Sequence, residues 1–246
     1  MRRVTAWQLL CVLVLVACGG ADQPAPARPG PLADPEFVNG QECPPSRHAE
    51  LPDDAGCVSS ATREDERLLV YALLDSAAKP RSWRLRFESG DAATDRRLLA
   101  GNVTSYPRAL GATDLNSDGS VEWWIKVADY ASHGTAWAGL NLFVSAGDGL
   151  TPVTYEGEPL TINFGGISRF GEGAECRGDE LVALRVWARD RQNTKWWVSE
   201  RRYAITGTTA TFLGRRRVPL VIETYSDPDL ARNYRVECGG QTFTPY

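Results

Sequence analysis

Alternating apolar and polar residues occur at three places along the chain and predict three β-strands. Each apolar set has a period of two, which places three large side chains on one face of a strand. The sets are Leu69, Tyr71 and Leu73, then Trp123, Ile125 and Val127, and finally Val182, Leu184 and Val186. A polar turn follows each set, and a second strand is predicted to begin at Trp83, Trp137 and Trp196. The pattern therefore predicts three β-hairpins.

The three predicted hairpins share one spacing, because Ala72, Lys126 and Arg185 each lie eleven residues before the tryptophan of their hairpin. Units repeated every ~57 residues are typical of propeller blades or related stacks of sheets. The fold prediction is accordingly all-β, with three repeated hairpin units in a propeller-like or twisted multi-sheet domain. The alternatives are one twisted sheet, or a sandwich closed by a bridge between Cys176 and Cys238.

Further strands are predicted at 106–113, 208–213 and 218–224 from their apolar and β-branched residues. After Trp137 the alternation is carried by Leu140, Leu142 and Val144, a shift of one residue that predicts a β-bulge near Gly139. Residues 64–74 contain neither Gly nor Pro and would also suit a helix, but the shared spacing to the tryptophan favours a strand.

The first residues predict export. Arg2 and Arg3 precede an apolar run at 9–16 that is too short to cross a bilayer stably. The run ends in Leu15-Val16-Ala17-Cys18, which resembles the signal of bacterial lipoproteins. This resemblance implies cleavage before Cys18 and acylation of its thiol, so that acyl chains hold the protein to a lipid membrane. An ordinary signal peptide cut nearby, with Cys18 left as a thiol, is the alternative.

The predicted organisation is a signal peptide at 1–17, a tether at 18–56 and a β-repeat domain at 57–246. The tether is rich in Pro, Gly and Ala, a composition that stays extended and cannot bury a core. Gly19 in place of aspartate favours, by the same resemblance, the outer membrane in a source that has one. We therefore expect an exported lipoprotein of the outer membrane or cell surface, with its domain on the periplasmic or extracellular face.

The charge balance argues against a nucleic-acid partner. The chain has 27 Lys and Arg residues against 31 Asp and Glu residues, a net charge of −4. Such a chain lacks the basic field that a polyphosphate backbone requires. The arginines are spread along the sequence apart from Arg215-Arg216-Arg217, which is predicted to be a solvated strand end.

Four cysteines follow the predicted acylation site Cys18, namely Cys43, Cys57, Cys176 and Cys238. An even number in an exported chain predicts two disulfides. Three pairings exist; the combination of Cys43 with Cys57 and Cys176 with Cys238 is favoured, because the first closes a short local loop. A zinc cluster is disfavoured, since the chain has no Cys-x-x-Cys spacing.

Residues 114–122 predict a calcium site, because oxygen donors alternate along a short polar loop. Gly119, at the sixth position, permits the sharp turn that such a loop needs. The predicted ligands are the side chains of Asp114, Asn116 and Asp118, the backbone carbonyl of Ser120, and both carboxylate oxygens of Glu122. The alternative is a polar turn that binds no metal and simply joins two strands.

Residues 111–122 resemble the FG-GAP or VCBS repeat, which forms blades of the integrin α-subunit type of β-propeller. That resemblance implies a structural Ca²⁺ held between two strands by the five ligands named above. The loop is not an EF-hand, because its twelfth position is Ile125 and strand-like residues follow it. The other two hairpins have only Asp65-Glu66 and Asp179-Glu180 at the equivalent place, so they are expected to lack the metal.

No catalytic motif is recognisable in the sequence. His48 and His133 belong to no Ser/His/Asp or Cys/His arrangement, and there is no nucleophile elbow or phosphate loop. Glu156 and Glu158 lie in a segment that is predicted to be a solvated loop rather than a pair of glycosidase carboxylates. We therefore expect a protein that is not an enzyme.

Adjacent tryptophans put one ring on each face of a strand. The outer rings, Trp124 and Trp197, are candidates for an aromatic surface that binds a glycan or a partner protein, unless the second face of the strand is also covered. The sequence thus favours a tethered lipoprotein whose β domain binds calcium structurally and presents an interaction surface. The alternatives are a carbohydrate-binding or glycan-hydrolysing cell-surface module, and a structural protein without a ligand.

Overall fold

The structure is a computed structural model that describes residues 36–37, 51–77, 79–98, 107–132, 135–146, 149–167, 169–189, 195–221 and 228–244. The predicted signal peptide, the acylation site Cys18 and the disulfide partner Cys43 lie outside these residues, as do His48 and His133. The predictions that concern them stay predictions.

The described part of the chain is all-β, as predicted, and its strands form two sheets. The first sheet contains β1 Glu36–Phe37, β2 Ala55–Arg63, β3 Glu66–Leu74, β4 Pro80–Ser89 and β5 Ala92–Leu98. The second sheet contains β6 Arg108–Thr113, β7 Glu122–Ser132, β8 Thr135–Ala146, β9 Gly149–Pro152, β10 Thr154–Tyr155, β11 Glu158–Pro159, β12 Thr161–Ile167, β13 Phe170–Arg177, β14 Glu180–Ala188, β15 Lys195–Thr206, β16 Thr209–Val221, β17 Val236–Cys238 and β18 Gln241–Phe243. A short helix, α1 Pro228–Ala231, and a 3₁₀ turn, Arg232–Tyr234, precede the last hairpin.

The strands of the first sheet follow the chain order β1-β2-β3-β4-β5 and are antiparallel. The main path of the second sheet is β11-β10-β16-β15-β14-β13-β12-β8-β7-β6, so β6 is an edge strand. Off this path, β9 pairs with β8, and β17 runs parallel to β13 and pairs with β18. Antiparallel neighbours joined by tight turns dominate both sheets, as the Gly- and Asp-rich joints of the sequence require.

One apolar cluster joins the two sheets. It combines Val70, Leu85 and Phe87 of the first sheet with Trp123 and Ile125 of the second. The rings of Phe87 and Trp123 meet edge to face, with their centroids 5.9 Å apart. The alternating pattern therefore puts one face of β7 against the first sheet, because strand neighbours point in opposite directions.

All three predicted hairpins are present, as β3–β4, β7–β8 and β14–β15. The helical alternative for residues 64–74 is wrong, because all but the first two of them form β3. The registers of the three hairpins differ, however: Trp83 lies opposite Ala72, Trp137 opposite Tyr130, and Trp196 opposite Ala188. A constant spacing along the chain is thus not a constant pairing across the sheet. Propeller blades are usually four-stranded, and this strand order shows neither a propeller nor three equivalent repeats.

The predicted core faces differ between the hairpins. In β7 and β14 the predicted sets lie in apolar clusters, with Val182, Leu184 and Val186 packed in one of them. In β3 the opposite face, Leu68, Val70 and Ala72, enters the cluster between the sheets. The predicted face of β3 is buried differently, since the Tyr71 hydroxyl donates to Asp95 at 2.8 Å.

The bulge predicted near Gly139 lies on the partner strand. Lys126 pairs with Leu140 and Ala128 pairs with Gly139, so that Val127 is the extra residue. The strands predicted at 208–213 and 218–224 are instead parts of one strand, β16. Its pairing with β15 shifts register between Arg202 and Tyr203 of β15. This corrects the assignment of the Arg215 triplet to a strand end, because it lies within β16 and each arginine pairs across to β15.

Several strands were not predicted from the sequence. Strand β2 begins at Ala55, inside the predicted tether, and Glu36–Phe37 of the same segment pairs with Ser60 and Ser59. The strands β9 to β13 were also missed, because Gly, Glu and Pro interrupt their alternation.

Candidate metal centre

The predicted calcium ligands lie in the loop between β6 and β7. Thr113 pairs with Glu122 at the base, so residues 114–121 form a closed excursion from an antiparallel pair. Ser117 and Gly119 have positive φ angles of 57° and 86°, which turn the chain back on itself. The loop thus has the shape predicted from its Asp, Asn and Gly residues.

The loop oxygens face its own backbone amides. Asp114 accepts from the N–H groups of Asp118 at 3.2 Å and Gly119 at 3.1 Å. Asp118 accepts from the N–H of Ser120 at 2.7 Å and from the Asn116 side-chain amide at 2.8 Å. The bond from Ser120 lowers the pKa of Asp118. Each carboxylate oxygen has two lone pairs, so these bonds leave acceptor capacity for a cation.

Glu122 is the buried member of the set. It is 0% exposed, and its Oε2 accepts from the N–H of Leu115 at 2.8 Å. Its Oε1 is buried and has no hydrogen-bond partner. A buried acceptor without a partner destabilises a fold by about 1–3 kcal/mol, and by more when it is charged. A cation beside Oε1 would remove that penalty.

The charges of the loop acids act on Glu122. Burial raises its pKa to about 7, with smaller contributions from the charges of Asp118 and Asp114, while the Leu115 hydrogen bond lowers it. Asp114 and Asp118 therefore oppose ionisation of Glu122. A divalent cation bound among them would reverse the sign of that interaction.

Distant segments support the loop. The Asn116 amide also donates to the carbonyl of Ile205 in β15 at 3.0 Å. Strand β6 is flanked by β17–β18, since Gln241 donates to the carbonyl of Ala112 at 3.1 Å and a Cβ on Gly239 would come within 2.8 Å of Thr113. The disulfide predicted between Cys176 and Cys238 is present and ties β17 to β13. Cys57 is also in a disulfide.

The residues fit calcium better than other metals. In the part of the chain that the structure describes, no three His, Cys, Asp or Glu side chains are already gathered as ligands around one point. Binding would therefore require Asp114 and Asp118 to turn toward Glu122. All the donors are oxygens, and hard cations such as Ca²⁺ prefer such a set in a flexible geometry.

The equivalent places in the other hairpins are tight turns. Arg63 pairs with Glu66, and Arg177 pairs with Glu180, which leaves two residues between the paired positions in each case. A two-residue turn cannot surround a cation with six or more oxygens. Only the β6–β7 connection has the length for a calcium loop among these three.

The proposed aromatic surface is not formed by Trp124. This residue is 0% exposed, its Nε1 donates to Thr113 Oγ1 at 2.9 Å, and its ring packs on Phe243 with centroids 5.8 Å apart. Here the alternative holds, that the second face of the strand is also covered, because a second apolar cluster lies on this face of β7. Trp197 is half-buried and lies beside Trp187 and Pro219 in cross-strand register.

Glu156 and Glu158 are exposed, as predicted. Glu156 and Gly157 form the turn between β10 and β11, where Tyr155 pairs with Glu158. Two features of functional interest were not predicted from the sequence. One is the anchor at Ile205, which is a backbone contact that no motif encodes. The other is a set of arginines on one face of β14–β16, in which Arg215 and Arg217 of β16 show a period of two.

Comparison of the chain with models of known protein families, with curated proteins and with solved structures gives no match. The likeness of residues 111–122 to the FG-GAP or VCBS repeat therefore depends on the loop residues and stays a prediction. Among the described residues, no helix has the length and apolar character needed to cross a membrane.

Proposed function

We propose that this protein is an exported lipoprotein, acylated at Cys18, whose β domain binds Ca²⁺ structurally through residues 114–122 and presents an interaction surface. The ion would be held by Asp114, Asn116, Asp118, the Ser120 carbonyl and Glu122. Its role is to fix the entrance of β7 against β15 and the last hairpin. The proposed chemistry is charge neutralisation, and no reaction is assigned to the site.

The observation that carries the calcium proposal is Glu122, a fully buried carboxylate with one oxygen that has no hydrogen-bond partner. A loop that served only as a turn would need no acid at this position. Burying a charge is strongly unfavourable unless the charge is paired or coordinates a metal. The acylation proposal is supported separately by the lipoprotein-like signal at 15–18.

Calcium-dependent melting tests the site. Extracellular calcium sites commonly have dissociation constants of about 10⁻⁴–10⁻³ M, so ~10 mM Ca²⁺ would stabilise the fold by roughly 1–3 kcal/mol. For a chain of this size, we expect the Tm to rise by ~3–10 °C. Asp114→Ala should abolish the rise.

The matched control is Asp75→Ala. Asp75 also accepts two backbone N–H bonds in a turn, from Ala77 at 2.8 Å and Lys79 at 2.9 Å. Both variants lose similar turn hydrogen bonds, so only the calcium response should separate them. An unchanged Tm of the parent protein in excess Ca²⁺ would refute the metal site. Partition of a Cys18→Ser variant out of the detergent phase would test the acyl anchor.

A further inference from the structure

One face of the sheet β14–β15–β16 carries a set of exposed arginines. Cross-strand partners share a face, and the registers align Trp187 with Trp197 and Pro219, and Ala183 with Arg201 and Arg215. We call this side the arginine face and define it by five exposed residues: Arg185, Arg189, Arg201, Arg215 and Arg217.

The charges of this face are largely uncompensated. Arg185 pairs with Glu172 at 2.7 Å. Within the residues that the structure describes, the other four arginines have no carboxylate partner. Arg215 donates instead to Ser199 Oγ at 2.9 Å. Arg201 and Arg215 lie directly opposite each other, and like charges in that register destabilise a sheet.

The opposite face of the same strands is arranged differently. There Arg177 and Arg216 donate to Glu200 at 2.8 and 2.9 Å, and Arg202 pairs with Glu180. The protein therefore neutralises these arginines on one side of the sheet and leaves four of the five unneutralised on the other. Composition alone does not explain that difference, because the chain as a whole carries a net charge of −4.

Aromatic rings hold the guanidinium groups in place. Arg189 lies over Trp197 at 5.0 Å from the ring centroid, and Arg217 over Trp187 at 5.4 Å. Arg201 lies near the rings of Tyr203 and Phe212 at 5.6 and 5.8 Å. A guanidinium stacked on a ring keeps its in-plane N–H donors free for a carboxylate.

A cavity of about 240 Å³ opens on this face. Its polar lining combines Arg185, Arg201 and Arg215 with Glu172, Thr161, Asn163 and Ser199. The volume lies below the ~300 Å³ at which sites for drug-sized ligands begin. The cavity thus suits a single ring-sized unit of a longer chain, with hydroxyl and amide groups beside the cations.

We propose that the arginine face binds an acidic saccharide, a sugar chain that carries carboxylate groups. The guanidinium groups of Arg201 and Arg215 bind the carboxylate, while Thr161 and Asn163 bind ring hydroxyls. Arg189 and Arg217 extend the cationic strip to neighbouring sugar units. This inference rests on the proposed function only in that it identifies the interaction surface, and it is independent of calcium.

The lining favours a saccharide over a nucleic acid. Single-stranded nucleic acids stack their bases on free aromatic faces, whereas here arginines lie over the rings. The Glu172 carboxylate, which lines the cavity and pairs with Arg185, can accept hydrogen bonds from sugar hydroxyls.

Titration of the purified full-length chain with oligogalacturonate, a carboxylated sugar chain, tests the proposal. A neutral dextran oligosaccharide of the same length should not bind. The double variant Arg201→Gln/Arg215→Gln should weaken binding by roughly tenfold or more, because it removes the charge-assisted hydrogen bonds to the carboxylate. Arg201→Lys/Arg215→Lys keeps the charge but loses the planar fork, and should give intermediate affinity.

The first sheet offers a matched control, because Arg84 and Arg97 also lie directly opposite each other. The variant Arg84→Gln/Arg97→Gln removes the same charge from the other sheet and should leave affinity unchanged. Equal losses in both double variants, or equal binding of the neutral oligosaccharide, would overturn the proposal. So would binding of heparin or single-stranded DNA without binding of oligogalacturonate.

Two further measurements keep the test independent of folding and of calcium. Melting curves establish that each variant is folded. If Arg201→Gln/Arg215→Gln does not fold, the single substitution Arg217→Gln takes its place in the binding test. Asp114→Ala should lose the calcium response and keep saccharide binding. A parent protein that responds to calcium but does not bind oligogalacturonate would contradict this inference and leave the calcium proposal intact.

Discussion

The loop 114–122 and the arginine face are two places where this protein leaves charge uncompensated, with opposite signs. In the loop, the charges of two exposed or partly exposed acids, Asp114 and Asp118, act on a third, Glu122, which is 0% exposed. On the arginine face the charged groups are exposed and spread over three strands. Uncompensated charge therefore affects the stability of the fold in the loop, whereas on the sheet it is available for binding.

The difference follows from solvent. A buried carboxylate loses its hydration, so its energy depends on whatever replaces the water. Exposed guanidinium groups keep most of their hydration, and like-charge repulsion between them is screened by salt. Substitutions near the loop should thus change the free energy of unfolding strongly, and substitutions on the arginine face should change it little.

The largest expected effect is at the tryptophan beneath the loop. Trp124→Ala removes a fully buried ring that contacts Phe243 and donates to Thr113, so we expect a loss of about 3–5 kcal/mol in the free energy of unfolding. The matched substitution Trp197→Ala, at a half-buried ring on the arginine face, should lower the free energy of unfolding much less. Urea unfolding of both variants measures the contrast, and equal losses would contradict it.

The pH dependence of the loop comes next. The folded-state pKa of Glu122 is raised to about 7, above its ordinary value of 4.5, so the folded state favours the protonated carboxyl. Its contribution to stability is complete below about pH 4.5 and is lost as the pH rises through 7. In calcium-free buffer we therefore expect the Tm to fall between pH 5 and 8.

Glu122→Gln isolates this effect, since the amide cannot ionise. The variant should show a flatter Tm profile over the same range. Burial also raises the pKa of Glu66, which contributes a trend of the same sign that the substitution leaves in place. Identical profiles for parent and variant would show that Glu122 does not titrate in this window.

A third pair of substitutions compares the two faces of one strand. Arg216→Gln removes a partner of Glu200, which is 4% exposed, and should destabilise the fold by about 1–3 kcal/mol. Burial opposes ionisation of Glu200, but the hydrogen bonds from Arg177 and Arg216 hold its pKa below the usual value.

The smallest effect is expected on the other face. Arg215→Gln removes an exposed charge that has no carboxylate partner among the described residues, so stability should change by less than about 0.5 kcal/mol. At low salt the variant should be slightly more stable than the parent protein, because the repulsion between Arg215 and Arg201 is removed. Thermal unfolding at two salt concentrations checks this, and a loss as large as that of the Arg216 variant would erase the distinction between the faces.

The sequence predicted the local features and missed the long-range ones. Period-two alternation identified β7 and β14, and the donor spacing identified the loop, because both depend on neighbouring residues. The burial of Trp124 on the second face of β7 depends on contact with Phe243, which is far away along the chain. Likewise, the unequal registers of the three hairpins depend on turn lengths and bulges that the tryptophan spacing did not contain.

The arginine face shows the same limit. Arg215 and Arg217 lie at alternate positions of β16, so their shared orientation could be predicted from the sequence. Their lack of carboxylate partners among the described residues could not be predicted, since it depends on which strands pair and in which register. The Arg215 triplet appeared to be one cluster, although its middle member points to the opposite face and pairs with Glu200.

The position of β6 at the sheet edge has a consequence for biogenesis. Its outer side contacts β2 of the first sheet, where Ser59 Oγ accepts from the N–H of Ala109 at 2.9 Å. The last hairpin adds the bond from Gln241 to Ala112, which spans 129 positions of the chain. Because β2 precedes β6 in the chain, a polypeptide that is synthesised or translocated in sequence order can cover this edge as soon as β6 emerges. Early cover of an unpaired edge limits aggregation before the last hairpin is made.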